Sequence, residues 1–186
     1  MTCVAGGGFS LATAMPLGAS FAPSERAKAA GGPVEVDISG LAVGELKVVE
    51  WQGKPVWLLK RDKTMLDSLA KTQDLVADPD SKSTNFSTTP DYAKNQFRAR
   101  EDHKELLVAV GICTHLGCSP SARFTPGPQA NLPNDWEGGF LCPCHGSTFD
   151  LAGRVFKNKP APDNLQIPKY AYLSDTRLLI GDDKKA

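Results

Sequence analysis

Beyond Pro33 the chain is organised as short runs in which apolar side chains either alternate with polar ones or form brief continuous stretches. Both patterns, when bounded by turn residues, are typical of β-strands. The predicted strands are Val34–Ser39, Lys47–Trp51, Pro55–Lys60, Leu106–Ile112, Thr148–Asp150, Arg154–Phe156, Tyr170–Leu173 and Arg177–Ile180. Short polar or Gly-containing turns connect several neighbouring pairs, which predicts hairpins. We therefore expect a mainly β domain with mostly antiparallel pairing.

Two segments of this region interrupt the strand pattern. Met65–Val76 carries apolar side chains at roughly helical spacing, which predicts one short helix. Asp78–Arg100 is polar and irregular and is interpreted as an insertion loop. Pro126–Pro133 is rich in proline and is expected to connect the two cysteine-containing loops that precede and follow it.

The start of the chain differs from the rest because Met1–Ser24 contains no charged residue. This length suits a single helical crossing of a bilayer, which needs about 20 residues. We predict a transmembrane anchor at residues 1–23, a flexible hinge at 24–33 and a head domain at 34–186. A cleaved signal peptide is the alternative, although no positive residue precedes the apolar run.

The charge balance argues against one class of partner. The chain has 186 residues, with 21 basic and 21 acidic side chains, so its formal net charge is +0. No block of like charge is present, and nothing favours electrostatic capture of a phosphate backbone. We therefore expect no nucleic-acid partner.

Candidate chemistry is concentrated in two motifs. Cys113–Cys118 reads Cys-Thr-His-Leu-Gly-Cys, and Cys142–Ser147 reads Cys-Pro-Cys-His-Gly-Ser. Together they contain four of the five cysteines and two of the three histidines. Thiolates and imidazoles are metal ligands, so this clustering predicts a metal centre built from both motifs.

The identity of the metal follows less directly from the spacing. Zinc accepts two cysteines and two histidines, but zinc modules usually place paired cysteines before paired histidines. Here each motif offers both a cysteine and a histidine, and each also contains a further cysteine. This arrangement suits a two-iron cluster with two thiolates on one iron and two imidazoles on the other. A zinc-stabilised binding module stays open as the alternative.

The two motifs, together with Lys159–Pro162 and the following Asn164-Leu165, resemble the Rieske iron–sulfur subunits of cytochrome bc complexes. The resemblance extends over most of the chain. It implies a Rieske-type antiparallel β head, with a smaller cluster-binding subdomain at about residues 105–168, behind a single N-terminal transmembrane helix. The implied cofactor is a Rieske-type 2Fe-2S cluster.

The resemblance also assigns the site residues. It implies that Cys113 and Cys142 bind one iron, and that His115 and His145 bind the other. It implies a disulfide between Cys118 and Cys144, where the alternative is a pair of free thiols. Soluble Rieske ferredoxins and oxygenase components usually lack that second cysteine pair, so its presence disfavours them.

Further residues receive roles from the same resemblance. Ser147 is expected to donate a hydrogen bond to the cluster, although an ordinary turn serine is the alternative. Relatives commonly carry a tyrosine where this chain has Phe149, which predicts a lower reduction potential here. Three other residues receive no role in the chemistry: His103 lies in a charged run expected to face solvent, Asp150 lies in a turn and is interpreted as structural, and Cys3 is expected to be a small buried residue.

The implied function is electron transfer within an oxidoreductase complex, with no catalysis by the chain alone. An electron comes from ubiquinol, whose proton His145 accepts, and movement of the head carries the electron to a c-type cytochrome. Leu116, Gly117, Pro160 and Pro162 are expected to form the apolar docking surface, with core packing as the alternative for Leu116. Implied partners are a cytochrome b subunit, a c-type cytochrome subunit and the membrane, in a dimeric complex. The expected location is the bacterial inner membrane with a periplasmic head.

Overall fold

Nine strands and one α-helix make up the regular structure in a computed structural model, which describes residues 31–83 and 89–184. The strands are β1 (Val34–Asp37), β2 (Leu46–Trp51), β3 (Lys54–Lys60), β4 (Leu106–Val110), β5 (Ser121–Arg123), β6 (Gly139–Leu141), β7 (Thr148–Asp150), β8 (Tyr170–Ser174) and β9 (Arg177–Ile180). The helix α1 spans Lys63–Lys71, and short 3-10 turns lie at Asp91–Ala93 and Glu101–His103. This confirms the mainly β fold.

The strands form three antiparallel sheets of three strands each. The orders are β1-β9-β8, β2-β3-β4 and β5-β6-β7. The predicted hairpins β2-β3 and β8-β9 are confirmed. The strands β5 and β6 were not predicted, because three residues are too few to show a period and, unlike β7, they were not marked by a short turn leading to a second predicted arm.

Aromatic packing lies where β3 meets the segment before the second motif. The ring of Trp57 stacks on that of Phe140 with centroids 4.7 Å apart, and Phe124 meets Phe140 edge-on at 5.5 Å. Gly111 follows β4 beneath Trp57, and a Cβ there would lie 2.2 Å from the indole ring. The missing side chain of Gly111 therefore lets the chain approach Trp57 just before the first motif begins.

The helix was predicted at Met65–Val76 but spans Lys63–Lys71. It begins earlier because the Asp62 carboxylate accepts a hydrogen bond from the Met65 N–H at 2.7 Å, which caps the first turn. Past its end, Thr72 is buried, and its hydroxyl contacts Leu69 and Asp150. The end of the helix is therefore determined by a long-range partner that local periodicity does not contain.

In the predicted insertion loop Asp78–Arg100, the described residues 78–83 and 89–100 contain one short 3-10 turn, and a charged side chain among them is deeply buried. Arg98 is 1% exposed. Its guanidinium donates to the carbonyls of Ala152, Gly153 and Leu165 at 2.7–3.2 Å. Buried carbonyls need such donors. The segment therefore anchors the turn after the second motif.

The predicted strand Arg154–Phe156 forms only isolated pairing with β7. A bridge joins Phe149 to Val155, and the Phe156 N–H donates to the Thr148 carbonyl at 3.1 Å. The hairpin topology was therefore right, although the second arm is not a regular strand.

Residues 33–186 form one compact unit. Within the described ranges 31–83 and 89–184, no helix combines the length and apolar character needed to cross a bilayer. The predicted anchor at 1–23, Cys3 and most of the predicted hinge lie outside the described residues.

Candidate metal centre

The two motifs fold into loops with the same hydrogen-bond pattern. In Cys113–Cys118 and in Cys142–Ser147, the N–H of the first cysteine donates to the carbonyl of the last residue at 2.8 Å. The glycine before that last residue donates back to the carbonyl of the first cysteine at 3.1 Å. These glycines, Gly117 and Gly146, have φ of 84° and 73°, a conformation that side-chain-bearing residues rarely adopt. The tight loops therefore explain the glycine in each motif.

A disulfide joins the loops. Cys118 and Cys144 are bonded with an S–S distance of 2.09 Å and a Cα–Cα distance of 6.6 Å. The other two motif cysteines, Cys113 and Cys142, are free and buried. The geometry thus separates the cysteines into a crosslink and a pair of available thiols.

The two imidazoles meet beside these thiols. The ring centroids of His115 and His145 are 4.8 Å apart, and the planes are nearly perpendicular at 84°. His115 is half-buried, and its Nδ1 is buried without a hydrogen-bond partner among the described residues. His145 is exposed. A buried ring nitrogen without a partner is costly unless it binds a ligand such as a metal.

The donor set fits a metal centre of two thiolates and two imidazoles. The sulfur atoms of Cys118, Cys142 and Cys144 also lie within 4.8 Å of one another. Those three do not form a thiolate site, because two of them are consumed by the disulfide. The residues available to a cofactor are therefore Cys113, Cys142 and the two histidines.

The pKa of the Cys113 thiol is shifted by its buried surroundings. Burial raises the pKa of its thiol, and the neighbouring Cys142 thiol raises it further. Hydrogen bonds from the His115 backbone N–H and the Ser147 hydroxyl act in the opposite direction. Thiolate ligation needs a compensating cation in such surroundings, which a bound metal supplies.

Comparison with known proteins identifies the family. A family model described as the Rieske [2Fe-2S] domain matches residues 35–171. The chain belongs to the Rieske [2Fe-2S] family. Its cofactor is accordingly a [2Fe-2S] cluster, and the zinc alternative is set aside.

Named relatives narrow the assignment to one branch of the Rieske family. The ubiquinol-cytochrome c reductase iron-sulfur subunit of Allochromatium vinosum is 54% identical over 179 residues, which cover 96% of this chain and 82% of that protein. The subunit of the same name from Bradyrhizobium diazoefficiens is 38% identical, covering 86% and 77%. The mitochondrial cytochrome b-c1 complex subunit Rieske-1 of Nicotiana tabacum is 39% identical, covering 80% and 48%. This Rieske chain belongs to the family of ubiquinol–cytochrome c reductase iron–sulfur subunits.

The predicted docking residues of this Rieske chain lie at the surface. Leu116 is 71% exposed, which excludes core packing for its side chain. Gly117, Pro160 and Pro162 are also exposed. Ala161, which lies between the two prolines of the predicted docking segment, is instead buried at 4% exposure. The burial of Ala161 depends on the path of its loop, and the sequence of an irregular loop has no periodicity that would predict this path.

For two residues outside the motifs, the structure corrects the prediction for His103 and confirms the one for Asp150. His103 was expected to face solvent, but it is half-buried and stacks on Tyr172 with centroids 3.9 Å apart. Nothing in the sequence indicated this contact, because the neighbours of His103 along the chain are charged and Tyr172 lies on a strand distant in sequence. Asp150 is structural, as interpreted, because its buried carboxylate pairs with Arg154.

Proposed function

We propose that this chain is the electron-transfer subunit of a respiratory quinol–cytochrome c reductase and is not catalytic alone. It accepts an electron from ubiquinol and delivers it to a c-type cytochrome. The names of its relatives support this assignment. The observation that carries it is that the two motif loops, joined by a disulfide, present two free buried thiols and two imidazoles in ring contact.

The proposed ligands are Cys113 and Cys142 for one iron, and His115 and His145 for the other. The unpartnered buried Nδ1 of His115 supports its assignment. A [2Fe-2S] cluster with this ligation carries one electron at a potential of roughly −150 to +300 mV, well above about −400 mV for clusters held only by cysteine. The two neutral imidazoles thereby suit the chain to accept electrons from a quinol.

His145 is the proposed contact for the quinol and the acceptor of its proton. Its exposed ring is reachable from outside, whereas His115 is half-buried. A metal-bound imidazole keeps one ring nitrogen that can exchange a proton near neutral pH. Electron uptake makes that proton more tightly held, so proton and electron are taken up together.

Ser147 is proposed to donate a hydrogen bond at the metal centre. It is completely buried, and its hydroxyl oxygen accepts a hydrogen bond from the Ala161 N–H at 2.9 Å. The exposed residues Leu116, Gly117, Pro160 and Pro162 are the proposed docking surface for the cytochrome b subunit. An exposed leucine beside an exposed ligand suits an apolar contact that excludes water.

The remaining organisation is proposed from the family and the sequence. A single transmembrane helix at 1–23 anchors the chain in the bacterial inner membrane, with the head on the periplasmic side. The hinge at 24–33 lets the head, residues 34–186, move between a cytochrome b subunit and a c-type cytochrome subunit in a dimeric complex. The cluster-binding subdomain spans about residues 105–168.

A redox titration of the purified cluster-loaded protein at several pH values, followed by electron paramagnetic resonance, tests the proposal. We expect a Rieske-type signal and a high potential that falls as pH rises through ionisation of the ligand histidines. His103→Gln is the matched control, because it removes the one histidine outside the motifs. A low potential that does not vary with pH would contradict the proposal. A His103→Gln protein without pH dependence would contradict the role of the ligand histidines.

A further inference from the structure

The Pro-Ala-Pro segment contacts the metal centre through one backbone hydrogen bond. The N–H of Ala161 donates to the hydroxyl oxygen of Ser147 at 2.9 Å. Both residues are buried, with 4% exposure for Ala161 and 0% for Ser147. Solvent therefore does not compete for this hydrogen bond, which links a docking loop to the second cluster loop.

The flanking prolines restrict this segment to a single donor. Pro160 and Pro162 have no N–H, so Ala161 supplies the one backbone donor of the three residues. A residue before proline is also confined mainly to extended backbone conformations. The Ala161 N–H is thus presented by a stiff segment, and its direction is nearly constant.

The hydroxyl that receives this bond has one hydrogen to donate and two lone pairs. With the Ala161 N–H occupying a lone pair, the hydroxyl hydrogen must point elsewhere. That direction is toward the metal centre, where the buried Cys113 thiol and the Ser147 hydroxyl are neighbours. A hydroxyl that accepts one hydrogen bond also becomes a stronger donor in the next.

We propose that Ala161 is a positioning residue, whose backbone N–H orients the Ser147 hydroxyl toward the cluster and strengthens the hydrogen bond that this hydroxyl donates there. This inference rests on the role of Ser147 in the proposed function. Hydrogen bonds to the sulfur atoms of a cluster favour the reduced state, because they offset its additional negative charge. Loss of the Ala161 N–H therefore lowers the reduction potential without removing a ligand.

The experiment removes the N–H in the full-length, cluster-loaded protein and measures the reduction potential and the paramagnetic resonance spectrum. Ala161→Pro removes the donor by substitution. An ester at position 161, made by ribosomal incorporation of lactic acid, removes it while keeping the methyl group. Ala161→Gly is the matched control, because it retains the N–H. Each change is made with Ser147 present and in a Ser147→Ala background.

We expect both donor-deficient proteins to show a lower potential, by no more than Ser147→Ala causes, while Ala161→Gly stays near the parent. In the Ser147→Ala background, loss of the N–H should cause no further decrease. The ester provides the result if Ala161→Pro does not retain iron and sulfide.

Two outcomes would overturn the inference. An equal decrease in both backgrounds would mean that Ala161 acts through loop shape and not through Ser147. An unchanged potential in the ester protein, with a decrease in Ser147→Ala, would refute the inference and leave the proposed function intact. If Ser147→Ala itself left the potential unchanged, the proposed role of Ser147 would fail, and the inference with it.

Discussion

Asp150 and Arg154 form a completely buried ion pair directly behind the second cluster loop. The Arg154 Nε donates to Asp150 Oδ2 at 2.7 Å, with side-chain exposures of 0% and 1%. The other carboxylate oxygen accepts the backbone N–H groups of Ala152 and Arg154, both at 2.9 Å. The Thr72 hydroxyl also donates to Asp150, at 3.0 Å. One carboxylate therefore ties the end of α1 to the turn after β7.

The first prediction concerns this pair. Asp150→Asn leaves the Arg154 charge buried without its counterion, and we expect the free energy of unfolding to fall by about 3–5 kcal/mol. Urea unfolding monitored by circular dichroism measures the change. Lys63→Met, which breaks the exposed pair with Asp67, is the control and should have little effect. Equal decreases in the free energy of unfolding for the two substitutions would contradict the prediction that burial makes loss of the Asp150 pair more costly.

The second prediction concerns the disulfide. Cys118 and Cys144 are separated by 26 residues, and opening a loop of that length costs about 3.5 kcal/mol of stability in the chain-entropy estimate. The Cys118→Ser/Cys144→Ser protein should unfold at lower urea concentration and lose iron faster in the presence of a chelator. Iron release with the same half-life as in the parent would contradict a role for the crosslink in holding the two loops together.

The third prediction concerns Phe149, which is completely buried in β7. Phe149→Tyr supplies the hydroxyl common in relatives, and we expect a higher reduction potential. One added hydrogen bond of about 1 kcal/mol that favours the reduced state corresponds to roughly 40 mV for a single electron. A redox titration measures this difference. Phe124→Tyr is the control, because it adds a hydroxyl to an aromatic outside the cluster loops. An unchanged potential in Phe149→Tyr would refute the expectation.

The fourth prediction concerns the three tyrosines at alkaline pH. Burial raises the pKa of Tyr92, Tyr170 and Tyr172 above 10.0. The folded protein therefore keeps protons that the unfolded chain releases near pH 10, so these groups stabilise the fold fully below that pH. Their contribution is lost as pH rises above 10 toward the folded-state values.

Tyrosinate absorbance during an alkaline titration tests this directly. It should stay low through pH 10 in the folded protein and appear together with unfolding. Tyr172→Phe should lose less stability between neutral and alkaline pH than the parent does. Normal ionisation of all three side chains near pH 10 in a folded sample would contradict the prediction.

Much of the architecture was accessible from local patterns. In the hairpin β2-β3, the order of apolar and polar residues indicates which side chains are buried, because successive side chains of a strand face opposite sides of the sheet. The two motifs likewise predict a metal centre directly, since clustered cysteine and histidine side chains are typical metal ligands. The strands β5 and β6 have three residues each and lack the short hairpin turn that made the equally short β7 predictable.

The amino-acid sequence by itself determined the metal-binding residue types and the mainly β character, because each depends on neighbours along the chain. The tertiary structure alone determined which distant groups meet. It buried the Arg98 side chain of a polar segment, stacked His103 on Tyr172 and brought the Ala161 N–H to the Ser147 hydroxyl. Such contacts arise from the path of loops between elements, and no periodicity in the residues themselves encodes that path.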